Sequence, residues 1–191
     1  MMKRFSTLLL TLMMCIVAAA QSADKLYDEG KALYDAKDYA KAVAKLKPAA
    51  EQGHKKAQYR LGRCYDKGRG VSEDDKKAFF WYSKSAAQGY AKAQYEVGKC
   101  YKNGEGVEKD KKKAFEYFSK AAKQENADAE LALGKCYLKG KGVAAERAKA
   151  KTWLLRAVRN EKGGKEILAG IRQEAAAGDE DAKAILALIG K

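Results

Sequence analysis

The string AQYRLGRCYDKGRGV at residues 57–71 returns as AQYEVGKCYKNGEGV at 93–107 and as AELALGKCYLKGKGV at 129–143. The offset is 36 residues both times, and 19 of 36 positions agree between residues 54–89 and 90–125. A fixed period of this length belongs to repeat architectures, in which each unit buries its apolar face only against a neighbour. The chain therefore has to be read as stacked copies, not as one irregular core.

Within a copy the period is helical. With Ala57 as origin and a step of about 100° per residue, Leu61, Cys64 and Tyr65 fall within about 80° of Ala57 and form the face to be buried. Ala57 and Gly62 are small enough to let a second helix come close. The loop at 68–71 has two glycines suited to left-handed backbone, a hinge between helices, and Val71 is expected to tuck inward. Asp74 and Asp110 stand where they can cap the following helices, whereas the third copy has Glu146 there. The second helix should bury Ala78, Trp81, Tyr82 and Ala86. Ala114, Tyr117, Phe118 and Ala122 repeat that set, and Ala150, Trp153 and Leu154 continue it. Strand-type alternation is absent and Ala, Lys, Leu and Glu dominate, so the fold class is all-α.

Before the repeats, residues 21–53 read as a helix pair marked by Tyr27, Gly30, Leu33 and Tyr34, then Tyr39, Ala42, Leu46 and Ala49. The repeats occupy 54–89, 90–125 and 126–161. Past 161 the period breaks at Gly163 and Gly164, and two further helices, over 165–177 and 179–189, form a cap for the last apolar face.

The N-terminal segment 1–20 has a different character. Lys3 and Arg4, an apolar run at 8–17 and three alanines at 18–20 make the three parts of a secretory signal peptide, with cleavage expected after Ala20. A retained anchor or lipidation at Cys15 are the alternatives; Met14 is larger than the small residue that lipidation wants before the cysteine. Without Lys3 and Arg4 the formal charge of +14 falls to +12. A basic, exported chain points to acidic peptides, acidic glycans or phosphates as partners, and export argues against nucleic acid. No transmembrane span is expected in the mature chain, and a monomer is expected.

The remaining cysteines, Cys64, Cys100 and Cys136, share one repeat position. Equivalent positions in stacked helices lie roughly 8–10 Å apart, too far for a disulfide, whose Cα atoms lie roughly 4.4–6.8 Å apart. Three buried free thiols are expected. His54 is the lone histidine and reads as a surface turn residue, so a multi-histidine metal site is excluded. Acid pairs such as Asp74–Asp75 and Glu180–Asp181 sit at helix starts, where capping explains them. No nucleophile has a base at a readable spacing, and the recurring G-x-G lacks the strand and third glycine of a nucleotide-binding loop. No cofactor or catalytic residue is expected.

The pattern A-x-x-x-[LV]-G-x-C-Y-x-x-G-x-G-V, then a charged cap, then K-A-x-x-[WY], covers 54–161 in three copies. It resembles the Sel-one-like repeat (SLR) family, relatives of tetratricopeptide repeats. The preceding pair looks like a tetratricopeptide repeat without the G-x-G-V loop. The resemblance implies a right-handed superhelix of antiparallel helix pairs that serves as a protein-binding adaptor. One cysteine-rich branch has two cysteines per unit, seven residues apart and joined as disulfides, with β-lactam hydrolysis proposed. Ala57 and Ala93 stand where that branch has its extra cysteines, so the association does not carry over.

In superhelices of this kind the face opposite the buried stripe lines the concave groove. Here Lys56, Tyr59, Arg63 and Asp66 occupy it, on the far side of the helical wheel from Ala57. Following the register gives cations at Lys31, Arg63, Lys99 and Lys135, aromatic or apolar residues at Tyr27, Tyr59, Tyr95 and Leu131, and a further lysine at Lys92. Such a surface suits an extended acidic peptide. The outer helices carry a second basic row, Lys84, Lys120 and Arg156 with Lys77, Lys113 and Lys149 nearby, which keeps open a binder of polyanions or envelope glycans. An envelope hydrolase is the remaining class.

Overall fold

The computed structural model describes residues 22–190. The expected signal peptide, its cleavage point and Cys15 lie outside the described residues. No helix of the described chain is long and apolar enough to cross a membrane.

The chain divides into two compact units, residues 1–88 and 89–191. In the first, α1 (residues 22–35) and α2 (Tyr39–Glu51) make one helix pair, and α3 (Lys55–Asp66) and α4 (Asp75–Ala87) make the next. In the second, the pairs are α5 (Ala91–Asn103) with α6 (Lys111–Ala122), and α7 (Ala127–Lys139) with α8 (Arg147–Arg159). Helices α9 (Gly164–Ala176) and α10 (Glu180–Ile189) follow.

The helices start and stop where their end residues allow. Asp74 accepts from the Lys77 amide, and Asp110 from the amides of Lys112 and Lys113, so both cap as their positions suggest. Glu146 makes no such bond; it pairs with Lys149 at 2.8 Å instead, and α8 still begins at Arg147. The α5 and α7 helices end on left-handed glycines, Gly104 at φ 86° and Gly140 at φ 64°.

The close approach within each pair rests on one glycine. A Cβ at Gly62 would lie 2.6 Å from the Tyr82 ring, and one at Gly98 would lie 2.6 Å from the Phe118 ring. Gly30 against Leu46 and Gly134 against Leu154 repeat the arrangement, at 2.8 Å and 2.7 Å. Ala57, Leu61 and Cys64 are fully buried beside Leu46 and Ala49 in the first unit's core, which Val71 and Tyr65 join from the side. Each fully buried leucine contributes about 1.5–3 kcal/mol to folding. In the second unit Phe118, Ala121, Ala122, Leu133 and Leu154 take the same places, and Ile171, Ile185 and Ile189 close the end against Leu154. Tyr117 and Trp153, expected inside, are only half-buried.

The second glycine of the G-x-G loop is a packing point and not a hinge. At Gly70 and Gly142 the backbone is left-handed, and an added Cβ would run into the carbonyls of Tyr39 and Lys111 respectively. Gly164 is likewise the first residue of α9, buried against the Val158 carbonyl, not a free joint.

A polar clip recurs in register with the repeats. Gln88 donates to Gln58 at 2.8 Å and to the Gly53 carbonyl at 2.9 Å, and Gln58 donates to the Ala50 carbonyl at 3.0 Å. Gln124 donates to Gln94 at 2.7 Å. In the third copy the pair is Asn160 to Glu130 at 3.0 Å, and Arg156 joins Glu130 at 3.1 Å. Glu130 is 2% exposed, so its charge is held by that guanidinium and amide. Each clip joins the start of one helix to the end of the next, which helical periodicity within either helix does not reveal.

Candidate cation-lined binding faces

On α3, Arg63 lies 6.0 Å from the Tyr59 ring. On α5 the same two positions hold Lys99 at 5.7 Å from the Tyr95 ring. The tyrosines are half-buried and lean on the second helix of the pair, Tyr59 on Tyr82 and Tyr95 on Phe118, with centroids 5.9 Å and 5.8 Å apart. Half of each expected aromatic rung is thus core, and the exposed half carries a cation. Lys99 also pairs with Glu96 at 2.8 Å. Lys31 is exposed and pairs with Asp35 at 2.8 Å, while Lys56 and Lys92 are exposed. Tyr27 stacks on His54 at 4.4 Å.

His54 proves to be more than a surface turn residue. Its Nδ1 accepts from the Ala57 amide at 3.0 Å and so caps α3, and its Nε2 faces Asp24 at 3.2 Å. Burial is the largest influence and pulls its pKa down; the Asp24 carboxylate opposes it.

In the first unit two arginines outside the expected set are absorbed by the protein. Arg60 reaches Asp35 at 3.6 Å and the Tyr27 hydroxyl at 3.5 Å, with its guanidinium 5.3 Å from the Tyr34 ring. Arg69 donates to the Tyr34 hydroxyl at 2.6 Å and lies 5.3 Å from the Tyr39 ring.

The second unit is arranged otherwise. A cavity of about 280 Å³ is lined by Tyr95, Phe118 and Leu131, by Lys102, Lys135, Lys139 and Lys141, and by the carboxylates Asp128 and Asp181. Lys139 contacts Asp181, which α10 brings in from 42 residues away. Among the described residues no ion pair joins Lys102, Lys135 or Lys141 to a carboxylate. Desolvation, then the charges of Lys99, Lys135 and Lys141, holds the Lys102 ammonium below the ordinary lysine value. Tyr95, Leu131 and Lys135 were expected on a binding face and are brought together here; Lys92 lines an adjoining cavity of about 630 Å³ with Leu131 and Lys135. Lys102 was legible: it stands one period after Asp66, which the helical angle already put on that face. Lys141 sits in a loop, where periodicity gives no direction.

The outer row has a mainly structural part. Lys77, Lys113 and Lys149 each pair with the cap acid three residues earlier, at 3.0, 3.6 and 2.8 Å. Each also lies over a tyrosine, Tyr65, Tyr101 or Tyr137, at 5.3–5.5 Å. Lys84, Lys120 and Arg156 lie over Trp81, Tyr117 and Trp153.

Cys64, Cys100 and Cys136 are buried, and burial pushes the Cys64 thiol up to about 11 and raises that of Cys136. Reactivity requires thiolate, so Cys64 and Cys136 are packing residues, and Cys100 is buried at the same repeat position. Among the described residues no group of three or more His, Cys, Asp or Glu could hold a metal.

The Sel1 repeat family model matches residues 16–54, 55–90, 91–126 and 127–161. The chain belongs to the Sel1 repeat family. The match takes in the first helix pair, read above as tetratricopeptide-like. Among solved structures, this Sel1 repeat chain is similar to a Sel1 repeat protein from Oxalobacter formigenes, at 31% identity and TM-score 0.68, over 84% of this chain and 74% of that one. It is also similar to a protective antigen of uropathogenic Escherichia coli that displays an SLR fold: 28% identity, TM-score 0.71, 88% of this chain and 41% of that one. Helicobacter pylori cysteine rich protein B matches at 27% identity and TM-score 0.52, over 78% of this chain and 95% of that one. No curated protein matches. These likenesses bear out the all-α solenoid class of helix pairs. Sel1 repeat chains are in general interaction scaffolds and not enzymes.

Proposed function

We propose that this Sel1 repeat protein is an exported, non-enzymatic scaffold that holds an acidic segment of a partner protein on its first-helix faces. The observation that carries this reading is the repeated pairing of a cation with a half-exposed tyrosine, Arg63 on Tyr59 and Lys99 on Tyr95. A cation beside a ring adds positive charge that attracts a carboxylate, and the ring supplies rigid contact area. The signal-peptide pattern of the N-terminal segment 1–20 supports export. The test replaces Arg63, Lys99 and Lys135 by Glu together. The variant is expected to keep its helical circular dichroism and to lose at least about tenfold in affinity for a synthetic Asp- and Glu-rich peptide, with wild-type binding weakening as salt rises. Unchanged binding by a folded variant removes the proposal. Equal loss of heparin retention in this variant and in one altered at Lys84, Lys120 and Arg156 would favour diffuse charge and a polyanion or glycan partner.

A further inference from the structure

We propose that the cavity between α5, α7 and the loop after α7 is the anchor for neighbouring carboxylates of an acidic protein segment, bound by Lys102, Lys135 and Lys141, and that Asp181 is a built-in stand-in for one of them. The proposal rests on the scaffold reading above and says where its strongest contact lies.

Three observations carry it. The first is that the cations are gathered and unspent. Three lysines from two helices and a loop line about 280 Å³, and among the described residues none of the three is ion-paired to a carboxylate. Like charges brought this close cost free energy unless an anion sits among them. Desolvation lowers the affinity of Lys102 for its proton, and the charges of Lys99, Lys135 and Lys141 lower it further.

The second is that the site already holds a carboxylate. Asp181 of α10 contacts Lys139 at the cavity's edge, and Lys139, Lys141 and Lys135 all favour its ionised form. The ligand class is therefore written in the molecule: a side-chain carboxylate on a helix or extended segment. Asp181 is half-exposed, which leaves it displaceable.

The third is the shape and sign of what adjoins. On one side the cavity runs into another of about 340 Å³ that shares Lys102 and Lys141 and adds Lys109 and Lys111. On the other it meets the cavity of about 630 Å³ through Asp128, Leu131 and Lys135, where Glu125, Asp128, Glu166 and Glu174 outnumber Lys92, Lys135 and Lys162 beside Ile167 and Ile171. A single phosphate would not need this length. A uniform polyanion would be disfavoured where the four acids outnumber the lysines. A peptide with acidic residues at one end and apolar or basic residues at the other matches both ends.

The experiment uses the chain beginning at Gln21 and a fluorescent peptide with an Asp- and Glu-rich half and a Leu- and Lys-containing half. Lys102→Glu with Lys141→Glu is expected to weaken binding by at least about tenfold. Asp181→Asn is expected to strengthen it several-fold, because the internal competitor is neutralised. Circular dichroism and a melting curve confirm that each variant is folded. If the lysine variants bind like wild type while Arg63→Glu with Lys99→Glu does not bind, the anchor is overturned and the scaffold reading stands. If wild type binds no acidic peptide, both fall. Inorganic phosphate or heparin displacing the peptide from wild type while failing to distinguish the lysine variants overturns the carboxylate assignment. Unchanged affinity in Asp181→Asn overturns the stand-in.

Discussion

The two units use one scaffold and dispose of positive charge in opposite ways. Asp66 and Tyr82 of the first unit stand one period before Lys102 and Phe118 of the second. In the first, the Tyr82 hydroxyl donates to Asp66 at 3.4 Å, and Arg60 and Arg69 are taken up by Asp35 and by tyrosines. In the second, the acid has become a lysine and the hydroxyl is gone. Arg69 is replaced by Glu105, then by Lys141 in the third copy. The buried glycine–ring contact is kept at 2.6 Å in both. Packing is thus held fixed by the repeat while the adjoining polar positions are free to differ, and a self-satisfied surface becomes one with cations to spare.

If packing is the shared part, damage to it should be equal in both units. Gly62→Ala and Gly98→Ala each press a methyl group into a ring of the partner helix. Each is expected to destabilise by about 1–3 kcal/mol, read by chemical denaturation. A loss confined to one of them would break the equivalence.

A double substitution tests the polar half of the comparison. Lys102→Asp with Phe118→Tyr places the first unit's pair in the second. Stability should stay within about 1 kcal/mol of wild type, since the core volume barely changes. Affinity for the acidic peptide should fall all the same. A variant that binds as before shows that the unpaired lysines are decoration.

The smallest effect concerns pH and belongs to the first unit alone. His54 caps α3 through an unprotonated Nδ1, and its folded pKa is lowered mainly by burial. The unfolded chain, titrating near the ordinary value of about 6.5, takes up the proton first as pH falls. The contribution of His54 is therefore complete above that value and is lost as pH drops through the lowered folded value. Asparagine keeps a capping acceptor without a titrating ring, so His54→Asn should cost under about 1 kcal/mol and flatten the melting temperature between roughly pH 7 and 5. An unchanged slope would place the titration elsewhere.

The parts legible in the sequence are those fixed by local geometry. Asp74 and Asp110 cap because their spacing to the following helix is short-range chemistry. Leu61 and Cys64 fall on the inner stripe because the helical step puts them there. What escaped reading depends on distance along the chain. Asp181 reaches Lys139 across 42 residues, and the Gln58–Gln88 clip spans 30. Arg60 escaped for a different reason: its angle lies beside the buried stripe, and only a carboxylate and two tyrosines from α1 make that place tolerable for a guanidinium.

The clip has one more consequence, for how the chain finds its own order. Near-identical repeats can pair with the wrong neighbour while folding, because each offers the same surfaces. A glutamine facing a glutamine cannot tell one copy from another. Glu130 can: set against Gln88 or Gln124 it would lose Asn160 and the Arg156 guanidinium and meet a glutamine and the single-headed Lys84 or Lys120 in their place, a poorer match for a buried carboxylate. The third repeat therefore carries a private address, and it gives a chain of look-alike segments a reference point from which the others are counted.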